Sequence, residues 1–180
     1  MEVMEKIIEY SKVFYEKLDF AHNIEHGERV VKNAKLIQQK EGGNPFLVEA
    51  GAWLHQFHVS DNLEEVRNFI GTLEIEDELK DKLYEIIISR PSNIKENSSI
   101  EAKIVCDADN IEVISTYGTI RELLCNFKSR NKSYEATIED TLKVQERFRK
   151  TLITKTAREM MERDLAILDE FWVSYRKWIK

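Results

Sequence analysis

Apolar residues recur along most of this chain at mixed three- and four-residue spacing, the period of an amphipathic helix. Val3, Ile7, Ile8, Val13, Phe14 and Leu18 mark the first such segment, over residues 2 to about 18. Asp19-Phe20-Ala21-His22-Asn23 interrupts it. A second segment then sets Val30, Ala34 and Ile37 on one face and Lys32, Lys35 and Gln39 on the other, with His26 in its first turns. Gly42-Gly43 stops that helix, and Asn44-Pro45 supplies an N-cap followed by proline at the first helical position. The third segment, about 45 to 57, is apolar on most sides through Ala50, Ala52, Trp53, Leu54 and Phe57, which marks it as central.

The pattern continues to the end. Asp61-Asn62 caps a fourth helix, about 62 to 70, which Gly71-Thr72 ends. A fifth, about 76 to 89, directs Leu79, Leu83, Ile86 and Ile87 inward. Pro91 disfavours helix at Arg90, so Ser89 to Asn93 reads as a loop. Ser98 and Glu101 have the spacing of a capping box. The helix they open carries Ile100, Ile104 and Val105, then Asp107 and Asp109. Further helices are expected at about 115 to 126, 134 to 150 and 155 to 177, with the basic stretch Lys128 to Ser133 as a mobile loop. Ile167, Leu168, Phe171, Trp172 and Tyr175 form a broad apolar stripe, and the Trp172/Tyr175/Trp178 end reads as core. No repeat or internal boundary interrupts the series. The expectation is an all-α fold, a single helical domain over residues 1 to 180.

Composition narrows the function. A chain of 180 residues buries one sizeable core without disulfide staples. Cys106 and Cys125, the only cysteines, match no zinc spacing and read as free buried thiols of a reducing compartment. The N-terminus lacks a charged-then-apolar signal pattern, and no apolar run reaches membrane-spanning length. A cytoplasmic protein without a membrane partner is expected. The net charge of −6 argues against a broad nucleic-acid surface. A small phosphorylated ligand stays compatible, because a bound metal or a local arginine reverses the field inside a pocket. The oligomeric state is left open.

All four histidines lie between positions 22 and 58, as the pairs His22/His26 and His55/His58. Imidazole binds divalent transition metals, with carboxylate completing the set. Asp107 and Asp109, on an otherwise apolar helix, are carboxylates that need a reason to be buried. Spacing alone leaves both readings open. Each histidine is a satisfied core residue or a ligand, and the two acids are ligands or a polar patch paired with Lys103 or Arg121.

The order of these motifs resembles the HD-domain superfamily of metal-dependent phosphohydrolases, whose pattern is a His, a His-Asp doublet and a distant Asp on helices. His22-Asn23-Ile24-Glu25-His26 with Arg29-Val30 looks like the family's entry motif. Glu41-Gly42-Gly43-Asn44 followed by Ala52-Trp53-Leu54-His55 looks like the helix leading to the doublet. Glu101 to Asp109 resembles the last motif, and Lys150-Thr151-Leu152 to Thr156-Ala157-Arg158 the tail of one bacterial subgroup.

The resemblance implies His26, His55 and Asp109 as metal ligands for Mn, Fe, Ni, Co or Zn. It implies hydrolysis of a nucleotide or other small phosphoester, with Arg29 gripping phosphate. Gln56 stands where the family has the doublet's carboxylate. An amide brings only a dipole to a cation, so the implied site is weakened. Asn23 stands in place of an Asp and Ser89 in place of a frequent His. His22, His58, Asp61 and Asp107 are candidates to compensate, or to support the ligands from behind. Arg90 is a weaker phosphate candidate, Glu64 and Glu65 are acid or base candidates by position only, and no catalytic residue is assigned. The alternative is a non-catalytic HD-fold module that binds a nucleotide or a protein partner.

Overall fold

The computed structural model describes residues 2–59, 63–89 and 92–179, and among them the only regular structure is helical. The helices are α1 (Val3–Tyr15), α2 (Ile24–Glu41), α3 (Pro45–Leu54), α4 (Leu63–Gly71), α5 (Asp77–Ile88), α6 (Ile100–Ile114), α7 (Thr116–Leu124), α8 (Tyr134–Arg149) and α9 (Lys155–Trp178). The expected caps of α4, Asp61 and Asn62, lie outside the described residues, as do Arg90 and Pro91. Among the described residues, no helix is long and apolar enough to cross a membrane.

Local chemistry sets the ends of the central elements. The Asn23 side chain accepts the His26 backbone N–H at 3.2 Å and starts α2. Asn44 accepts from the backbone N–H groups of Phe46 and Leu47, with Pro45 at the first turn of α3. Gly42 closes α2 with φ of 83°, a left-handed geometry that a side chain would resist. The expected capping box does not form, and the cap itself shifts by one residue. Ser99, not Ser98, caps α6 by accepting from the Ala102 N–H. Glu101 instead reaches across to the Asn44 N–H at 2.7 Å, tying α6 to the start of α3.

Three helices form the centre: α2 packs on both α3 and α6, and α3 packs on α6. The apolar surface of α3 is buried on all sides, with Val48, Ala50, Ala52 and Leu54 fully enclosed. Each large side chain so buried contributes about 1.5–3 kcal/mol. Helices α1 and α5 cover α3, while α7, α8 and α9 pack on α6. Cys106 and Cys125 are free and buried, as expected.

Two expectations about the C-terminal third change. The stretch Lys128 to Ser133 is not a simple loop. A wide π-type turn continues α7 through Cys125–Ser129. Beyond it Arg130 donates to Glu122 at 2.6 Å, and Lys132 donates to Asp140 at 2.6 Å. The apolar stripe of α9 is also narrower than expected. Leu168 and Trp172 are buried, but Ile167 and Phe171 are exposed, and Trp178 is 86% exposed rather than core. Helix α9 packs on α2, α6 and α7, and its 24 residues outreach them.

Candidate metal centre

Each central helix delivers one side chain to a common point. His26 sits in the first turn of α2, held in place by the Asn23 cap. His55 ends α3, where the chain tightens into a 3₁₀ turn over His55–Val59. Asp109 lies midway along α6. His26 Nε2 and His55 Nε2 are 3.2 Å apart, and Asp109 Oδ1 is 3.4 Å from the first and 3.7 Å from the second. Three ligands about 2.1 Å from one ion would stand about 3.0–3.4 Å apart, so this triangle is close to the size a single cation needs. The two imidazoles and one carboxylate form a donor set suited to a divalent transition metal.

Surrounding groups prepare the rings. His55 Nδ1 donates to the Ala52 carbonyl at 2.7 Å, which leaves the Nε2 lone pair facing the triangle. Burial, opposed in part by Asp109, pushes the His55 pKa down to about 4, so the ring is neutral. Behind it lies Tyr15, whose hydroxyl donates to the Trp53 carbonyl and stands 3.4 Å from His55 Nδ1. The Tyr15 ring fills the space a Cβ at Gly27 would occupy, at 2.7 Å, so only glycine fits there. Burial would depress His26, but its hydrogen bonds to Asp109 and Glu112 win and raise its pKa. Burial would likewise raise Asp109, yet the facing histidines hold it well below the usual carboxylate range.

His26 has two competing partners at its back. Arg121 Nη1 lies 2.7 Å from His26 Nδ1, and Glu112 Oε2 lies 3.6 Å from it. A guanidinium only donates, so with Arg121 bound the ring carries its proton on Nε2, toward Asp109 and His55. The tautomer that offers the Nε2 lone pair to a cation has Nδ1–H directed at Glu112 instead. Arg121 also donates to the carbonyls of Ala21 and Glu112, at 2.8 and 2.9 Å.

A cavity of about 220 Å³ opens beside the triangle, lined by His22, His26, Gln56, His58 and Asp109 on one side and by Arg121, Glu122, Arg130, Arg147 and Phe148 on the other. Gln56 is buried on this wall. The His58 Nδ1 is hydrogen-bonded to the His55 carbonyl. His22 is at the rim, its Nδ1 2.8 Å from Asp19 and its ring 6.1 Å from that of His26.

Other candidates go elsewhere. Asp107 points away from the triangle and accepts from the backbone N–H groups of Ile153 and Thr154 and from the Thr154 hydroxyl. Arg29 does not line the cavity. Its Nε donates to Glu112 at 2.7 Å and its guanidinium lies 4.4 Å over the Tyr117 ring. Asn23 is occupied as a helix cap, so an uncharged residue there takes nothing from the triangle. Ser89 donates to the Glu85 carbonyl, and Glu65 accepts from Tyr10 at the surface.

The groups missed in the sequence are Glu112, Arg121 and Tyr15. Glu112 had a readable signal, being an acid between Ile111 and Val113, where a buried charge demands a cationic partner.

No family model and no curated protein matches the sequence. Solved structures do match over nearly the whole chain. Lin1889 from Listeria innocua is 26% identical, covering 99% of this chain and 98% of its own, with a TM-score of 0.77. Bacillus subtilis YpgQ in complex with ADP is 24% identical, covering 98% and 96%, with a TM-score of 0.78. An HD-superfamily hydrolase from Bacillus thuringiensis is 24% identical, covering 97% and 95%, with a TM-score of 0.77. With His26, His55 and Asp109 gathered at its centre, the chain has the all-α fold of the HD-superfamily hydrolases.

Proposed function

We propose that this protein is a metal-dependent phosphohydrolase acting on a nucleotide or another small phosphoester. The observation that carries the reading is the convergence of His26, His55 and Asp109 beside a cavity with three arginines on its walls. Among the described residues those arginines face Asp109 and Glu122 as cavity-lining carboxylates, so this lining favours an anion although the chain is acidic overall. YpgQ, with the same fold, was crystallised with ADP, which makes nucleotides the first compounds to try.

The residues divide the work. His26, His55 and Asp109 would hold a divalent cation. When bound, that cation supplies Lewis acidity toward a phosphoryl oxygen and toward the attacking water. Arg147 has no carboxylate partner among the described residues and lies 4.6 Å over the Phe148 ring, which orients its guanidinium. It replaces Arg29 as the phosphate-gripping candidate. Glu112 would accept the Nδ1–H of His26 in the ligating tautomer, and Arg29 neutralises Glu112 from the far side.

The buried amide of Gln56 favours the second reading, a module that binds a nucleotide and does not turn it over. The test is to offer the purified protein Mn, Fe, Co, Ni and Zn, measure retained metal, and screen nucleotides and simple phosphoesters for hydrolysis. Retained metal with turnover that disappears in His55→Ala supports the enzyme. Ligand binding without turnover supports the module, and neither metal nor ligand binding overturns both.

A further inference from the structure

The donor triangle is poorly charged for a bare divalent cation. Two of its members are neutral rings and one is a carboxylate. Gln56, on the cavity wall beside them, is an amide and carries no charge. The nearest cationic group, Arg121, lies 2.7 Å from the His26 ring and opposes a second positive charge. Arg130 and Arg147 line the same cavity, and Glu122 is already paired with Arg130 at 2.6 Å. Glu112, behind His26, is matched by Arg29. Among the described residues that line the cavity, a cation entering alone therefore meets three arginines against two carboxylates, one of which, Glu122, is already paired. An anion entering with it answers both deficits, giving the ion a charged oxygen and giving Arg147 a partner.

Resting on the metal site proposed above, we propose that this site binds its cation and a phosphate group as one unit. A phosphate oxygen brings the negative charge that the two rings and the Gln56 amide do not supply, and Arg147 grips the others. Metal affinity is then low in phosphate-free solution and high once phosphate is present. By thermodynamic reciprocity, phosphate affinity depends on metal by the same factor. The device limits metal uptake to the moments when a phosphorylated ligand is in the cavity.

The experiment titrates the purified protein with Mn²⁺ and reads free Mn²⁺ by electron paramagnetic resonance, in phosphate-free buffer and with inorganic phosphate. Circular dichroism verifies that each variant is folded. The expected result is a rise in Mn²⁺ affinity of about tenfold or more with phosphate, within the usual range of coupled binding. Gln56→Asp should tighten phosphate-free binding and reduce the coupling. Arg147→Ala, an exposed position, removes a positive charge from the cavity wall and so should modestly tighten phosphate-free Mn²⁺ binding while weakening the phosphate effect. Mn²⁺ binding that is equally tight with and without phosphate in the natural protein overturns the coupling while leaving the metal site standing. Folded protein that binds no Mn²⁺ under either condition overturns the metal site itself.

Discussion

Asp107 and Asp109 stand two residues apart on the same helix, and they do opposite things. Asp107 is fully enclosed, and its oxygens accept from Ile153 N–H, Thr154 N–H and the Thr154 hydroxyl, which pins the start of α9 to α6. Asp109 is 28% exposed, faces two imidazoles and borders a cavity. The first carboxylate is saturated mainly by backbone donors, which cannot leave, with the Thr154 hydroxyl beside them. The second is met by rings whose lone pairs can turn to a cation. A buried acid is thus structural or functional according to whether its partners can be exchanged, and the helix that carries it does not decide.

The largest effect should come from breaking the saturated member. Asp107→Ala strands the Ile153 and Thr154 N–H donors and is expected to cost about 3 kcal/mol, at roughly 1–3 kcal/mol for each buried group left unpaired. Urea unfolding measures it, and a loss below about 1 kcal/mol would mean that water replaces the carboxylate. Asp109→Asn should show the reverse profile: near-normal stability without metal, and loss of metal retention measured by elemental analysis. An unfolded Asp109→Asn protein would erase the distinction between the two acids.

Smaller effects sharpen the contrast. Glu112→Gln removes the charged acceptor that keeps His26 in its ligating tautomer, and should weaken metal binding about tenfold, the scale typical of groups behind a ligand. Unchanged affinity in a metal titration would show that Glu112 does not set the His26 tautomer. The smallest effect belongs to Glu41, which like Asp107 accepts a backbone N–H at the start of α9, from Thr156 at 2.7 Å, but does so near the surface. The Thr156 hydrogen bonds hold its pKa below the ordinary value. Its contribution to stability is therefore present above the usual glutamate range and lost as pH falls through the lowered folded value. Glu41→Gln should remove a small part of the acid sensitivity of unfolding, read as a flatter denaturation midpoint against pH between neutral and acid.

The helical plan was legible because each amphipathic segment carries its own period and stop signals. Asn44-Pro45 and Gly42-Gly43 act within one turn, so their chemistry needs no distant partner. The capping-box reading at Ser98 failed for the opposite reason: Glu101 had a better donor at Asn44, remote in sequence. Trp178 read as core because its side chain is apolar, yet exposure depends on which helix lies opposite, and none of the packed elements reaches it.

The site divides the same way. Residue type and spacing alone left His26, His55 and Asp109 open; the resemblance of their order to the HD-domain pattern is what nominated the triangle. Nothing local could show that Asp107 would be bound by Thr154, or that Arg29 would be held by Glu112 and Tyr117. Nor could it place Arg121 and Arg147 around the ligands. Short-range periodicity and capping are properties of neighbouring residues and were present in the chain itself. Whether a charge is satisfied depends on groups up to about a hundred positions away, as with Arg121 and Ala21, and only the packed structure brings those together.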